Sequence, residues 1–276
     1  MSIITLTTDF GNKDHFVGSV KGALNIEIPN VNIIEISNEI SPFNIIEGAY
    51  IIENAYKNFP KGTIHMIGID SEKTPENKNL AIMLDGHYFI CSDNGIMSLV
   101  TKRIKPDKII EISIHNEVSS SFTVLDVFVK VAAHICRGGS IDLVGNKIFK
   151  LKELYETNPI LNEKNNELIG NVIYVDNYEN VITNITKSIF KKFGKSRSYT
   201  INARNYKFHR IVNSYSESIK FEIQKNRRKE YGKKIAIFNK SEFLELAIYK
   251  SNPNVTGGAS SLFGLKYGDV ISITFH

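Results

Sequence analysis

Ile3-Ile4-Thr5-Leu6-Thr7-Thr8-Asp9-Phe10-Gly11 opens the chain with β-prone residues that run straight into a carboxylate and a glycine. That pattern predicts a buried strand ending at the mouth of a site. The polar turn Asn12-Lys13-Asp14 follows, and Phe16-Val17-Gly18-Ser19-Val20-Lys21-Gly22-Ala23-Leu24 then spaces its apolar residues as a helix does. In an open α/β sheet a ligand sits beyond the carboxyl ends of the strands, where Asp9 and Asp14 would meet a ribose or an ammonium. A plainer alternative stands beside this one: Asp9 satisfies loop amides and Asp14 caps the helix.

The pattern repeats outward. Asn32 to Ile36 is a short strand, Phe43 to Asn58 has helical periodicity, and Thr63 to Ile69 is a second buried strand that ends in Asp70. Leu80–Leu84 and Tyr88–Cys91, joined by Asp85-Gly86, form a hairpin. Ser92-Asp93-Asn94-Gly95 requires a positive φ near Asn94 or Gly95. Ile109 to Ile114 is a further strand, and Leu125 to Cys136 is an apolar helix stopped by Arg137-Gly138-Gly139. Strands alternating with helices predict an α/β domain with a mostly parallel, helix-covered sheet.

After Gly145 the composition changes. The expected organisation is an N-terminal α/β domain over 1–150, a polar linker over 151–166, and a C-terminal domain over 167–276. The last domain holds short strands parted by Gly, Asn, Ser and Lys turns, the pattern of a β-barrel. Within it, Asp176-Asn177-Tyr178-Glu179-Asn180 follows the first strand and reads either as a tight turn or as one wall of a ligand site.

A chain of 276 residues, 42% apolar, suits two soluble domains. It contains neither a run of transmembrane length nor a basic and then apolar leader, so a cytoplasmic location is expected. Cys91 and Cys136 lack metal-like spacing and read as buried, reduced thiols. The seven histidines form no close pair on a helix face, and no metal is expected; His134 reads as a core residue, and His15 is the one placed near a ligand. The net charge of +5 is uneven: residues 167–276 carry about half of the Lys and Arg but under a third of the acids. The densest run, Lys225 to Lys234, shows no aromatic interleaving of the kind that single-strand binding uses. It reads as a solvated hairpin loop rather than a nucleic-acid surface.

Taken in order, Thr7-Thr8-Asp9-Phe10-Gly11, Asp14, Phe16-Val17-Gly18, Lys21-Gly22, Phe59-Pro60-Lys61-Gly62-Thr63, Asp70, Asp93-Asn94-Gly95, Asp126, Asp176 with Asn180, Thr183-Asn184-Ile185 and Gly264-Leu265-Lys266-Tyr267-Gly268-Asp269 resemble the S-adenosylmethionine hydrolases. These are the hydroxide adenosyltransferases, grouped with the S-adenosylmethionine-dependent chlorinases and fluorinases. The resemblance covers nearly the whole chain. It implies a homotrimer that binds S-adenosylmethionine or adenosine between the N-terminal domain of one subunit and the C-terminal domain of the next, with no further cofactor.

By the same resemblance Asp9 and Asp14 would face the ribose and its surroundings, Phe10 and Asn94 would also bind substrate, and Asp176 and Asn180 would hold the amino-acid end. The implied reaction is in-line attack of water or hydroxide on the ribose 5′ carbon, giving adenosine and methionine. A sulfonium needs no protonation to leave, so the protein's tasks are orientation, water exclusion and one aimed nucleophile. In the hydrolases an aspartate, an arginine and a histidine look after that nucleophile. Here the aspartate falls on Asp70, but Asn77 stands at the arginine position and Thr123 at the histidine position, followed by Val124. Asn38 likewise stands where family members often have histidine. The expected activity is therefore slow hydrolysis through Asp70, Asn77 and Thr123 unless Lys73 or Lys78 compensates. The alternatives are a catalytically weak binding homologue, a halogenase, or a nucleic-acid-binding protein on the same scaffold. A halogenase is opposed by the retained Asp70, which repels a halide, and by the hydroxyl-free Val124.

Overall fold

A computed structural model describes residues 3–102, 104–114, 121–154, 158–228 and 230–276. Two compact units divide the chain, Met1–Glu156 and Thr157–His276.

The first unit carries β1 (Ile3–Thr8), α1 (Phe16–Glu27), β2 (Asn32–Ser37), α2 (Ile45–Ala55), β3 (Ile64–Gly68), β4 (Asn79–Leu84), β5 (His87–Ser92), α3 (Ile96–Val100), β6 (Lys108–Ile112), α4 (Val129–Cys136) and β7 (Gly145–Lys147). They form a seven-stranded sheet in the order β2-β1-β3-β5-β4-β6-β7. β2, β1, β3 and β5 pair in parallel, and the hairpin partner β4 and the edge strand β7 run against them. The reversal at β4 follows from its two-residue turn, in which Asp85 (φ 50) and Gly86 (φ 73) both adopt the left-handed conformation that tight hairpins need.

Alternation along the strands builds two cores. Ile4, Leu6, Ile64, Met66 and Ile90 face α1 and α4, whereas Ile67, Ile82, Phe89 and Cys91 face α2 and α3. Each such fully buried side chain contributes about 1.5–3 kcal/mol. α2 is started by Asn44, whose side-chain oxygen accepts from Glu47 N at 3.2 Å. α4 is entered through a π-helical turn, Val124–Phe128, so the segment expected as a plain helix from Leu125 opens with a widened turn. Gly95 (φ 99) supplies the positive φ expected at the Asp93-Asn94-Gly95 turn.

The second unit is antiparallel throughout its named strands: β8 (Ile160–Asn162), β9 (Glu167–Val175), β10 (Val181–Thr186), α5 (Lys187–Gly194), β11 (Tyr199–Ala203), β12 (Tyr206–Phe208), β13 (Lys234–Phe238), β14 (Phe243–Ile248), α6 (Ala259–Phe263) and β15 (Val270–Phe275). The strand order is β12-β11-β15-β9-β10-β14-β13, with β8 added on β9. A parallel bridge from Val212 to Ile237 ties the chain just beyond β12 to β13 and brings the sheet close to a barrel. Its interior is Leu168, Val181, Ile201, Leu246, Ile271 and neighbours.

Several expectations change here. Lys225 to Lys234 is no hairpin loop: the strands flanking it, β12 and β13, stand at opposite ends of the strand order, and the run belongs to the long connection between them. Two short apolar runs around a polar one specify strands but not which strands pair. The run is fastened by Glu230, only 4% exposed, which takes Arg228 and, at 2.9 Å, Lys250 Nζ. Cys91 is buried, but Cys136 at the end of α4 is only half-buried. Within residues 151–166, Lys152 N donates to Asp93 Oδ1 (2.9 Å) and Leu154 N to Ser98 Oγ (3.0 Å) in the first unit, while β8 pairs in the second. No described helix is long and apolar enough to cross a membrane.

Candidate active site

β1 and β3 lie side by side with Thr8 opposite Gly68, so the turns leaving them emerge together at the carboxyl edge of the sheet. The first crossover packs α1 on one face and the next packs α2 on the other, which opens a crevice there. Asp9 braces it. Its Oδ2 accepts from Phe43 N at 3.0 Å and Asp70 N at 3.3 Å, so the plainer role expected for Asp9, holding loop amides, is present in the fold. Asn94, buried beneath, donates through Nδ2 to the carbonyls of Ile69 (2.8 Å) and Asp70 (3.2 Å).

The bonds at Asp70 N and at the Ile69 and Asp70 carbonyls hold Asp70 at φ 42, a left-handed conformation that a residue with a side chain adopts at a cost of about 1–3 kcal/mol. The carboxylate of Asp70 itself makes no hydrogen bond among the described residues. It lines a cavity of about 560 Å³ together with Asp9, Glu72, Ser71, Ser121 and Thr123. The aromatic wall consists of Phe10, Phe16, Phe43 and Phe122. Phe10, Phe16 and Phe122 pack mutually, with ring centroids 5.3–5.9 Å apart. Phe10 can lie this close to the sheet because β3 ends in glycine: a Cβ on Gly68 would stand 2.9 Å from Phe10 Cζ and 3.0 Å from Val124 Cγ2.

Of the residues singled out by sequence, the fold thus brings Asp9, Phe10, Asp70 and Thr123 around one cavity, with Asn94 supporting it. Others lie elsewhere. Asp14 is exposed and does not cap α1, whose N-cap position is His15 with no side-chain bond. His15 stacks on Phe16, with centroids 4.5 Å apart. Neither residue lines the cavity. Asn77 is outside it too: its backbone N donates to Thr74 Oγ1 (2.9 Å) and its Oδ1 accepts from Lys152 Nζ (2.8 Å). Lys78 is paired with Glu111 at 2.7 Å. Asn38 bridges Thr8 and Glu35. His134 is half-buried and bonded to the Ser140 carbonyl at 3.0 Å. His115 lies outside the described residues.

In the second unit Asp176 is the hub of its own turn. Oδ1 accepts from Tyr178 N and Asn180 N, both at 2.8 Å, and Oδ2 accepts from Asn180 Nδ2 at 2.9 Å. A separate cavity of about 690 Å³ in this unit is bordered by Lys192, Lys195 and Arg197. Arg197 there is committed to the carbonyls of Phe193 and Gly194 and to Asn166, closing the end of α5.

Sequence reasoning missed two groupings. The first is Glu72 with the phenylalanines 16, 43 and 122, whose convergence depends on loops that carry no periodicity. The second is a buried imidazole pair at the amino ends of β3 and β5: His65 Nε2 and His87 Nδ1 are 3.2 Å apart, and His65 Nδ1 meets Thr5 Oγ1 at 2.7 Å. Burial, with His87 close by, pushes the pKa of His65 down to about 3. Helical spacing does not reveal this pair, because it forms across adjacent strands.

An α/β domain with a carboxylate-lined crevice at its switch point, followed by a small antiparallel barrel, defines the class. Residues 4–145 match the SAM hydroxide adenosyltransferase N-terminal domain, and residues 170–272 match the SAM hydroxide adenosyltransferase C-terminal domain. The chain belongs to this family. It is 31% identical over 283 residues to an (R)-S-adenosyl-L-methionine hydrolase of Methanocaldococcus jannaschii, covering 100% of this chain and 97% of that one. A fluorinase of Nocardia brasiliensis is 23% identical over 70% of this chain and 74% of its own. A conserved protein of Thermotoga maritima has the same fold, with a TM-score of 0.80 at 25% identity over 99% of this chain and all of that one.

Proposed function

We propose that the protein hydrolyses S-adenosylmethionine to adenosine and methionine, with water as nucleophile and Asp70 as the residue that aims it. The observation that carries this reading is the carboxylate of Asp70, without a hydrogen-bond partner among the described residues, on a turn that Asp9 and Asn94 hold in a strained conformation. Such a group is positioned before substrate arrives, and rate comes from positioning when the leaving group is already a sulfonium. The aromatic wall suits a nucleoside base, and carboxylates suit a cationic substrate.

The same charges favour water over halide. Asp9, Asp70 and Glu72 are acidic and no described lining residue is cationic. At 4 Å two like charges repel by about 4 kcal/mol at an effective dielectric of 20. A binding protein with weak chemistry is the second reading, favoured by Asn77 being tied to Lys152 outside the cavity. In either reading Asp176 and Asn180 would hold the amino-acid end, in a cytoplasmic homotrimer whose sites draw on neighbouring subunits, and no cofactor takes part.

The test is incubation with S-adenosylmethionine in chloride-containing and chloride-free buffer, with nucleosides resolved by mass. Adenosine in both buffers, lost in Asp70→Asn, is the expected result. 5′-Chloroadenosine formed only with chloride would move the protein to the halogenases, and saturable binding without product would leave the binding reading.

A further inference from the structure

We propose that Glu72 is a catalytic base of this pocket, receiving the proton that the attacking water loses. The inference rests on the hydrolase reading above and deepens it. Attack of neutral water on the ribose 5′ carbon forms the O–C5′ bond while the C5′–S bond breaks, its electron pair leaving with sulfur as methionine. The new 5′ oxygen then carries an excess proton. Cationic donors near the nucleophile would handle this by making hydroxide accessible beforehand. No described residue lining this cavity supplies such a charge: Thr123 is neutral, Asn77 lies outside the cavity, and Lys78, also outside it, is held by Glu111. A neutral nucleophile needs a base instead.

Three carboxylates line the cavity and they are not equivalent. Asp9 is occupied through Oδ2 with the amides of Phe43 and Asp70, and protonating it would weaken the brace that shapes the site. Asp70 is set on its strained turn, which suits a residue that orients water. Glu72 lies two residues further on, borders the same cavity, and makes no hydrogen bond or ion pair among the described residues. Its longer side chain and open position let it take a proton from the water and pass it to bulk solvent, so that adenosine, methionine and one released proton complete the reaction. One carboxylate aims and the other accepts. That division replaces charge-assisted hydroxide formation with general-base catalysis, and it has a distinct pH signature.

The experiment measures adenosine formation at saturating and at limiting S-adenosylmethionine by the wild-type protein, Glu72→Gln and Glu72→Asp, from about pH 5.5 to about pH 9. Wild-type turnover is expected to be level across this range, because a carboxylate base, unlike hydroxide, does not gain concentration as pH rises. Glu72→Gln should lose about 10²-fold in kcat with KM little changed, and Glu72→Asp should recover part of the rate. Glu72 is exposed, so matched thermal unfolding of the three proteins serves as the folding control. A Glu72→Gln protein with wild-type kcat overturns the proposal, and so does wild-type turnover that climbs tenfold per pH unit above neutrality, which marks hydroxide attack. A wild-type protein that binds S-adenosylmethionine but releases no adenosine overturns the hydrolase reading itself. That outcome is visible before any variant is made.

Discussion

Two aspartates follow two strands in this molecule, and their surroundings are opposite. Asp176 accepts three hydrogen bonds within its own turn, so its carboxylate is engaged without any ligand. Asp70 accepts none among the described residues, while its backbone is gripped by Asp9 and Asn94. In one turn the side chain holds the backbone, and in the other the backbone is held so that the side chain is free. The first arrangement makes a rigid anion suited to a static contact. The second makes a group whose hydrogen-bonding capacity is available to something that arrives.

Substitution at the two positions should separate these roles. Asp70→Asn is expected to lower adenosine formation by about 10²–10³-fold while unfolding free energy stays within about 0.5 kcal/mol of wild type; a destabilised variant would erase the contrast. Asp176→Asn keeps one acceptor oxygen where three donors converge. Chemical denaturation should show about 2–3 kcal/mol of lost stability, and S-adenosylmethionine binding should weaken with it. Wild-type stability in Asp176→Asn would mean that the turn does not depend on its aspartate.

Acid provides a third comparison, between the carboxyl edge of the sheet and its amino edge. His65 is neutral in the native protein, with its pKa pushed from an ordinary 6.5 to about 3, so below pH 6.5 the unfolded chain binds a proton that the folded chain does not. Stability should therefore be level above that point and fall as pH drops toward 3. By pH 5 the loss from His65 alone is about 2 kcal/mol, and His87, shifted the same way by burial, adds to it. Thermal melts against pH check this and separate acid unfolding from titration of the site. The smallest effect on stability is expected in Asp70→Gly. Relief of the left-handed conformation should raise stability by up to about 1 kcal/mol, with turnover lowered as in Asp70→Asn; no gain in stability would mean that the turn holds no strain.

Much of the fold was legible because its signals are local. The β1–α1 alternation, the Asp85-Gly86 hairpin and the positive φ at Gly95 each follow from a few adjacent residues. Asp9 and Asp70 could be found as strand-end carboxylates for the same reason. What stayed hidden depends on register and on loops. The His65–His87 contact needs the parallel pairing of β3 with β5, and the long connection between β12 and β13 needs knowledge of which edges meet. Glu72 and the phenylalanine wall converge through turns without periodicity. Asn77 shows the converse: its place in the chain suggests a role that its position in the fold, with Oδ1 accepting from Lys152, does not by itself reveal.

The brace at Asp9 also has a bearing on how the protein is made. Its two bonds reach residues 34 and 61 positions away, across both crossover connections of the sheet. During synthesis the brace cannot form until the chain has emerged past residue 70, and the recess stays incomplete until Ser121, Phe122 and Thr123 have followed. Fragments ending sooner will hold helices and strands but no binding competence. In refolding, recovery of ligand binding should trail recovery of secondary structure, since the last loops to close are the ones that make the recess.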